Sequence, residues 1–324
     1  MRSRARLLAA GSTVFALGLV AGAATGVTSA AFSRTTSNST NGFAARADWV
    51  APTASAETIA KTTGSTSGRI KQGGTFYVYA NVSDTGNPPS GVSTVTGNVN
   101  SVDTGQTTAA LASGSFSICG TSYGYRTAAL TANATLSAGT YSYSLTSSDA
   151  AGNNGTDTGF TVVVDNTAPT ASDIQTSNVG GGTLGKPEAG DTVTFTFSET
   201  MDANSLVSAW CGASSTVTVR IADGGIGNDT HTVRNSANTA QLPLGSVNLS
   251  RTDYVLATRD FTSSTMVMSG STIVITLGTA SGATTTAAVT GAMVWTPSSS
   301  ALDAAGNAMS TTTRTETGTA DKDF

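Results

Sequence analysis

Chemistry in this chain would have to rest on few groups. His231 is the only histidine, which removes zinc sites built from two or three imidazoles and the HExxH peptidase helix. A Ser-His-Asp relay could use it, yet no GxSxG elbow presents a serine, and its setting in GGIGNDTHTV predicts a loop or a hairpin edge. The same run places Gly224, Gly225, Gly227 and Asp229 in GGxGxD spacing. Tight glycine turns let backbone carbonyls and the carboxylates of Asp223 and Asp229 converge on a hard cation, so calcium is the one metal the sequence suggests. Calcium turns of that kind stack in several copies, and this single copy, with His231 where the repeat wants a large apolar residue, reads first as a plain glycine-rich turn. Asp and Glu total 20, but none pair beside an aromatic sugar platform, and Trp49, Trp210 and Trp295 are scattered. The expectation is a non-enzyme with no catalytic residue and no cofactor other than that possible calcium.

Composition explains why so little chemistry is on offer. Of 324 residues only 11% are charged, and 36 are glycine. The remainder is rich in Ser, Thr and Ala, which suits strands and turns and is far from the roughly 25% charge of an average soluble protein. A net charge of −4 leaves no basic stripe to displace counterions, which excludes nucleic acid and argues equally against acidic membranes. The length is enough for two domains with cores of their own.

Two phrases recur and divide the chain. APTAS occupies 51–55 and 168–172, and DAAGN opens at Asp149 and again at Asp303. Each unit therefore starts with APTAS and closes with DAAGN plus a last strand, giving units at 51–167 and 168–324. Within DAAGN the carboxylate can accept from nearby amides while Gly and Asn tolerate positive φ, so Asp149, Gly152 and Asn153, and likewise Asp303, Gly306 and Asn307, are predicted as turn residues. A cation-ligand role for Asp149 is the alternative. Period-two alternation predicts strands: Phe76, Val78, Ala80 and Val82 on one face, and Val193, Phe195 and Phe197 on another. NPPSG at 87–91 predicts a turn, and the polar region 223–250 an insertion or extended hairpin. Cys119 and Cys211 fall one in each unit, so two free thiols are expected, with a bridge between the units as the alternative.

The N-terminus has the form of an export signal: Arg2, Arg4 and Arg6, an apolar run from Leu7, and the small residues Ser29-Ala30-Ala31. Cleavage after Ala31 would make 1–31 a signal peptide and 32–50 a flexible arm. Gly and Ala dominate the apolar run, which is weak for a spanning helix, so no stable membrane insertion is expected after cleavage. No LPxTG tail precedes Phe324, and any attachment to a cell surface is expected to be non-covalent.

Two resemblances follow from these residues. Phe32, Ser33, Thr35, Asn41, Phe43 and Ala45 resemble the cleavage region of substrates of the SipW-type signal peptidase, the family that includes the biofilm proteins TasA and camelysin; Arg34 stands where those carry Asp. Leu136, Gly139 and Tyr141 form the Leu-x-x-Gly-x-Tyr corner of Ig-like folds, where the tyrosine hydroxyl returns to the backbone. With the DAAGN turn and FSETMD at 197–202, the chain resembles bacterial Ig-like modules of surface-layer and adhesin proteins. The resemblance implies an all-β chain of two tandem Ig-like β-sandwiches, secreted or held at the cell surface. Its partner would be a surface protein or polysaccharide, or a further copy through strand addition by the arm. A carbohydrate-binding or enzyme-accessory role would place its site in 223–250.

Overall fold

A computed structural model describes residues 48–324. The expected signal peptide, its expected cleavage after Ala31 and the expected arm up to residue 47 lie outside the described residues. The described chain is all-β, and its one α-helix, α1 (Ala203–Leu206), is a single turn.

The first sheet takes its strands from β1 (Thr53–Lys61), β2 (Arg69–Ile70), β3 (Thr75–Ser83), β4 (Val92–Asn98), β5 (Ala109–Ile118), β6 (Thr121–Thr127), β7 (Leu130–Thr131), β8 (Gly139–Asp149) and β9 (Asn154–Val164). Their order is β1-β3-β6-β5-β4-β8-β9-β2, with β7 also on β3, and the sheet curls to a near-barrel. Alternation along β3 sends Phe76, Val78 and Ala80 into a core shared with Ile59, Val95, Leu145 and Val162. Tyr79 points the other way and is nonetheless buried, at 5% exposure. The reason is tertiary. The β5–β6 hairpin is bent by an irregularity between Ser113 and Phe116 and contributes Phe116, Ile118 and Tyr123 to a second small cluster around Tyr79 and Ala60. The Asn81 side chain holds the bend, accepting from the Gly124 amide (2.7 Å) and donating to the Ser122 carbonyl (2.9 Å).

The second sheet runs β10 (Ala171–Ser177), β11 (Thr192–Phe197), β12 (Ser215–Ala222), β13 (Thr230–Asn235), β14 (Gln241–Asn248), β15 (Arg259–Ser269), β16 (Thr272–Thr276), β17 (Thr279–Ala280), β18 (Val294–Thr296) and β19 (Arg314–Thr315). The order is β10-β11-β16-β15-β12-β13-β14-β18-β19, with β17 on β15. Its core is separate from that of the first sheet. Trp295 is fully buried at the centre, edge-on to Phe195 (5.0 Å) and Phe197 (5.2 Å), and its indole N–H donates to the Leu244 carbonyl at 2.7 Å. That bond satisfies the one polar atom a buried tryptophan carries.

Three expectations change here. Residues 223–250 are the hairpin and not an insertion: they contain β13 and β14, paired antiparallel, as two inner strands of the sheet with Val233, Leu242, Leu244 and Val247 in the core. His231 sits within β13, not in a loop, and is 1% exposed. Cys119 and Cys211 are not free thiols but a disulfide, with Cα atoms 5.5 Å apart. The bent β5–β6 hairpin is what delivers Cys119 to its partner: Cys119 (φ 44°) and Gly120 (φ 85°) form its tip, the pair of positive φ values that a two-residue hairpin turn requires.

Candidate functional site at the joint of the two sheets

The two DAAGN turns have the same local construction. The Asp303 carboxylate accepts from the amides of Gly306 (2.6 Å) and Asn307 (2.7 Å) and from the Asn307 side chain (2.8 Å). Asp149 accepts from the Asn153 amide (2.8 Å) and side chain (2.6 Å). Gly152 and Gly306 hold φ of 83° and 99°, where a Cβ would be strained. Each asparagine has a second task. Asn307 also donates to the Asp165 carbonyl (2.9 Å), and Asn153 to the Asp48 carbonyl (3.1 Å), so each turn grips the aspartate that stands three residues ahead of its unit's APTAS phrase.

That grip assembles two matching trios of carboxylates. Asp48, Asp84 and Asp149 form one and Asp165, Glu199 and Asp303 the other, with the nearest oxygens of each trio all within 4.8 Å of one another. Asp84 follows Ser83, the last residue of β3, and Glu199 follows Ser198, the first residue past β11. In the second trio Glu199 is pushed up to about 7, first by desolvation and then by the charges of Asp303 and Asp165. In the first, Asp149 lies below its ordinary value: burial opposes ionisation, but the Asn153 bonds outweigh it. Three convergent carboxylates can share a proton or a hard cation. Beside the second trio lies a cavity of about 270 Å³ lined by Arg69, Asp165, Glu199, Thr200 and Ala304, under the roughly 300 to 1,000 Å³ usual for small-molecule sites. A third trio, Glu316, Asp321 and Asp323, gathers near the C-terminus, where burial and the Glu316 charge push Asp323 up to about 7.

The second DAAGN turn is also the point at which the two sheets meet. Lys61, at the end of β1, pairs with Asp202 at 2.8 Å, the two side chains being 9% and 2% exposed. Its ammonium also donates to the Asp303 carbonyl (2.8 Å). Lys71 donates to the Gly306 carbonyl (2.6 Å) and Thr66 to that of Ala304 (3.0 Å). Asp202 additionally accepts from the amide and hydroxyl of Ser65 (2.8 and 2.6 Å) and from Asn204 N at the start of α1 (3.2 Å). Asn166 closes the other side, accepting from the Gln72 amide (2.9 Å) and donating to the Leu136 carbonyl (2.8 Å). The disulfide adds a covalent tie.

The other predicted residues fall elsewhere. The Tyr141 hydroxyl donates to the Ser137 carbonyl at 3.0 Å, with Gly139 starting β8 between them. Asp223 and Asp229 are each engaged with backbone amides, and burial, joined by the charge of Asp223, pushes Asp229 up. Asp229 is fully buried and accepts from the amides of Gly224 (3.3 Å), Tyr254 (2.9 Å) and Val255 (3.1 Å), and Asp223 accepts from the Gly225 amide (2.7 Å). Both carboxylates therefore serve as turn and loop anchors. His231 has no hydrogen-bond partner on either ring nitrogen, and burial pushes it down to about 4. Asp48, Asp84, Asp165, Glu199, Lys61, Lys71 and Asp202 were missed by sequence reasoning. A signal for three of them was present: the aspartate three residues before each APTAS, and the acid in FSET. No family model matches the chain, and no significant match to it is found among curated proteins.

Proposed function

We propose that the chain is a secreted or cell-surface, non-catalytic structural module in which two tandem Ig-like β-sandwiches form a stiff spacer presenting its ends and loops to a partner. The observation that carries this reading is the joint. A polar contact between domains of one chain ordinarily permits relative motion, whereas here a buried ion pair, three side-chain bonds to one turn and a disulfide act together. The aspartates that sequence alone singled out, Asp149, Asp223, Asp229 and Asp303, hold backbone amides. Support for an extracellular site comes from the Arg2–Ala31 leader and from a disulfide, which persists in oxidising compartments. Support for the Ig-like reading comes from the Tyr141 corner and the paired DAAGN turns. The carbohydrate-binding or accessory reading draws no support from 223–250, whose strands are part of the sheet.

Fractionation of cells and medium, followed by N-terminal sequencing, tests this. The expected product begins at Phe32, lies in the wall fraction or the medium and contains no free thiol after denaturation. An uncut, reduced chain inside the cell would defeat the reading.

A further inference from the structure

Six large apolar side chains are well exposed among the described residues: Trp49, Leu184, Ile226, Leu256, Val267 and Val289. Isolated exposed hydrophobics are ordinary, so their placement matters more than their number. Val267 lies within β15. The other five stand at the two far ends of the pair of sheets. Trp49 precedes β1 at the end that carries the first carboxylate trio. The remaining four ride on loops at the end of the second sheet remote from the joint. The joint takes the residues after β11, and antiparallel pairing therefore sends the loop before β11, and those entering β13, β15 and β18, to the opposite end.

Those four loops form one platform. Asp229 binds the amides of Tyr254 and Val255, tying the loop of Ile226 to that of Leu256. Asp253 accepts from the Ala288 amide (2.8 Å), tying the Leu256 loop to that of Val289. The Ala287 amide donates to the Gly185 carbonyl (2.8 Å), which ties in the Leu184 loop. Apolar tips held this way lose little conformational freedom on docking.

The internal joint indicates what docks there. Asp48-Trp49-Val50-Ala51-Pro52 repeats Asp165-Asn166-Thr167-Ala168-Pro169, and the carboxylate trios and DAAGN turns behind the two segments match. Within that segment Asn166 touches the first sheet's unit, through Gln72 and Leu136, so Trp49 holds the contacting position at the free end. On the receiving side, residues 62–74 before β3 make the joint, and their counterpart before β11 is the loop of Leu184. The internal joint is polar, whereas each free end presents exposed apolar side chains, Trp49 at one and Leu184, Ile226, Leu256 and Val289 at the other. Within one chain the linker supplies a high effective concentration and a polar contact suffices; contact between separate chains must offset lost translational freedom, which apolar burial does.

We propose that copies of this chain associate head to tail, the Trp49 end of one seating on the Leu184–Ile226–Leu256–Val289 end of the next. The contact is heterologous and extends into open strings or closes into rings. It holds whether or not the secreted-spacer reading does.

Sedimentation velocity and electron microscopy of the purified chain from ~1 µM to ~1 mM test it. The wild type is expected to grow with concentration. Trp49→Ser and the double variant Ile226→Asp/Leu256→Asp change exposed side chains only; each should associate at least tenfold more weakly alone while keeping the wild-type melting curve. Mixed in equal amounts, they should form a heterodimer, because each retains the end the other lacks. A wild type that stays monomeric throughout, or variants that assemble like it, would overturn the proposal. So would a mixture that stays monomeric while the wild type assembles, since that marks a symmetric contact. Flotation with phosphatidylcholine vesicles that is lost in the double variant, with a monomeric wild type, would assign the loop end to lipid and overturn it equally.

Discussion

Asn307 illustrates how one side chain serves two levels of organisation, closing its own turn on Asp303 and gripping the carbonyl of Asp165 before the next strand. Removing it leaves a buried carboxylate and a linker carbonyl short of a donor. Asn307→Ala is expected to cost about 1 to 3 kcal/mol in urea unfolding. His231 contributes a pH dependence to the second core. Its folded value of about 4 lies below the ordinary 6.5 because burial disfavours the cation. Between those values the unfolded chain takes up a proton that the folded chain refuses. The contribution is thus complete above pH 6.5 and is lost as pH falls toward 4, by about 3 kcal/mol at most. Asp323 and Glu199, both raised to about 7, act in the opposite sense: their contribution is complete below the ordinary carboxylate value and is lost as pH rises through 7. Unfolding free energies of wild type and His231→Leu, measured from pH 7.5 to 4.5, are expected to diverge in favour of the variant as pH falls.

Single elements take their roles from what they are pressed against. The β5–β6 hairpin folds over the outer face of β1 and β3, so Tyr79 is enclosed by Phe116 (ring centroids 6.5 Å) and Tyr123 (5.2 Å). Arg126 lies over the rings of Tyr77 (4.0 Å) and Phe116 (4.3 Å), an arrangement a cation favours at an aromatic face. The end of β1 is equally specific. Lys61 and Asp202 are nearly sealed from water, and removing one partner leaves the other buried without its counter-charge. Asp202→Ala is therefore expected to destabilise by about 3 kcal/mol in thermal or urea unfolding. The double variant Lys61→Met/Asp202→Ala should recover much of that loss, because both charges leave together.

The described chain as a whole has two main apolar cores that share no residue, with a small third cluster around Tyr79, coupled by polar bonds and one disulfide. The Cys119–Cys211 bridge spans 92 residues, and the chain entropy removed by closing a loop of that size corresponds to about 4.5 kcal/mol. With the tie intact, the halves are expected to unfold in closely spaced steps. In Cys119→Ser, or in wild type under reductant, scanning calorimetry should separate two transitions and lower at least one midpoint. A single unshifted transition in the reduced chain would show that the polar joint alone couples the halves.

What the sequence determined by itself was local: the strands of alternating Phe76, Val78 and Ala80 and of Val193, Phe195 and Phe197, and the DAAGN turns. These depend on residues within a few positions of one another, and five residues containing Asp, Gly and Asn suffice to close such a turn wherever it lies. Tertiary structure alone decided the rest. Lys61 reaches a carbonyl 242 residues away, and no spacing rule links the two. His231 lies in a polar, glycine-rich stretch that reads as loop, yet its neighbours in the sheet, Ile221 and Val247, enclose it in the core. Cys119 and Cys211 meet only because a hairpin bends back across its own sheet. The joint and the disulfide follow from how finished strands stack, and the free energy of stacking resides in contacts between residues far apart along the chain.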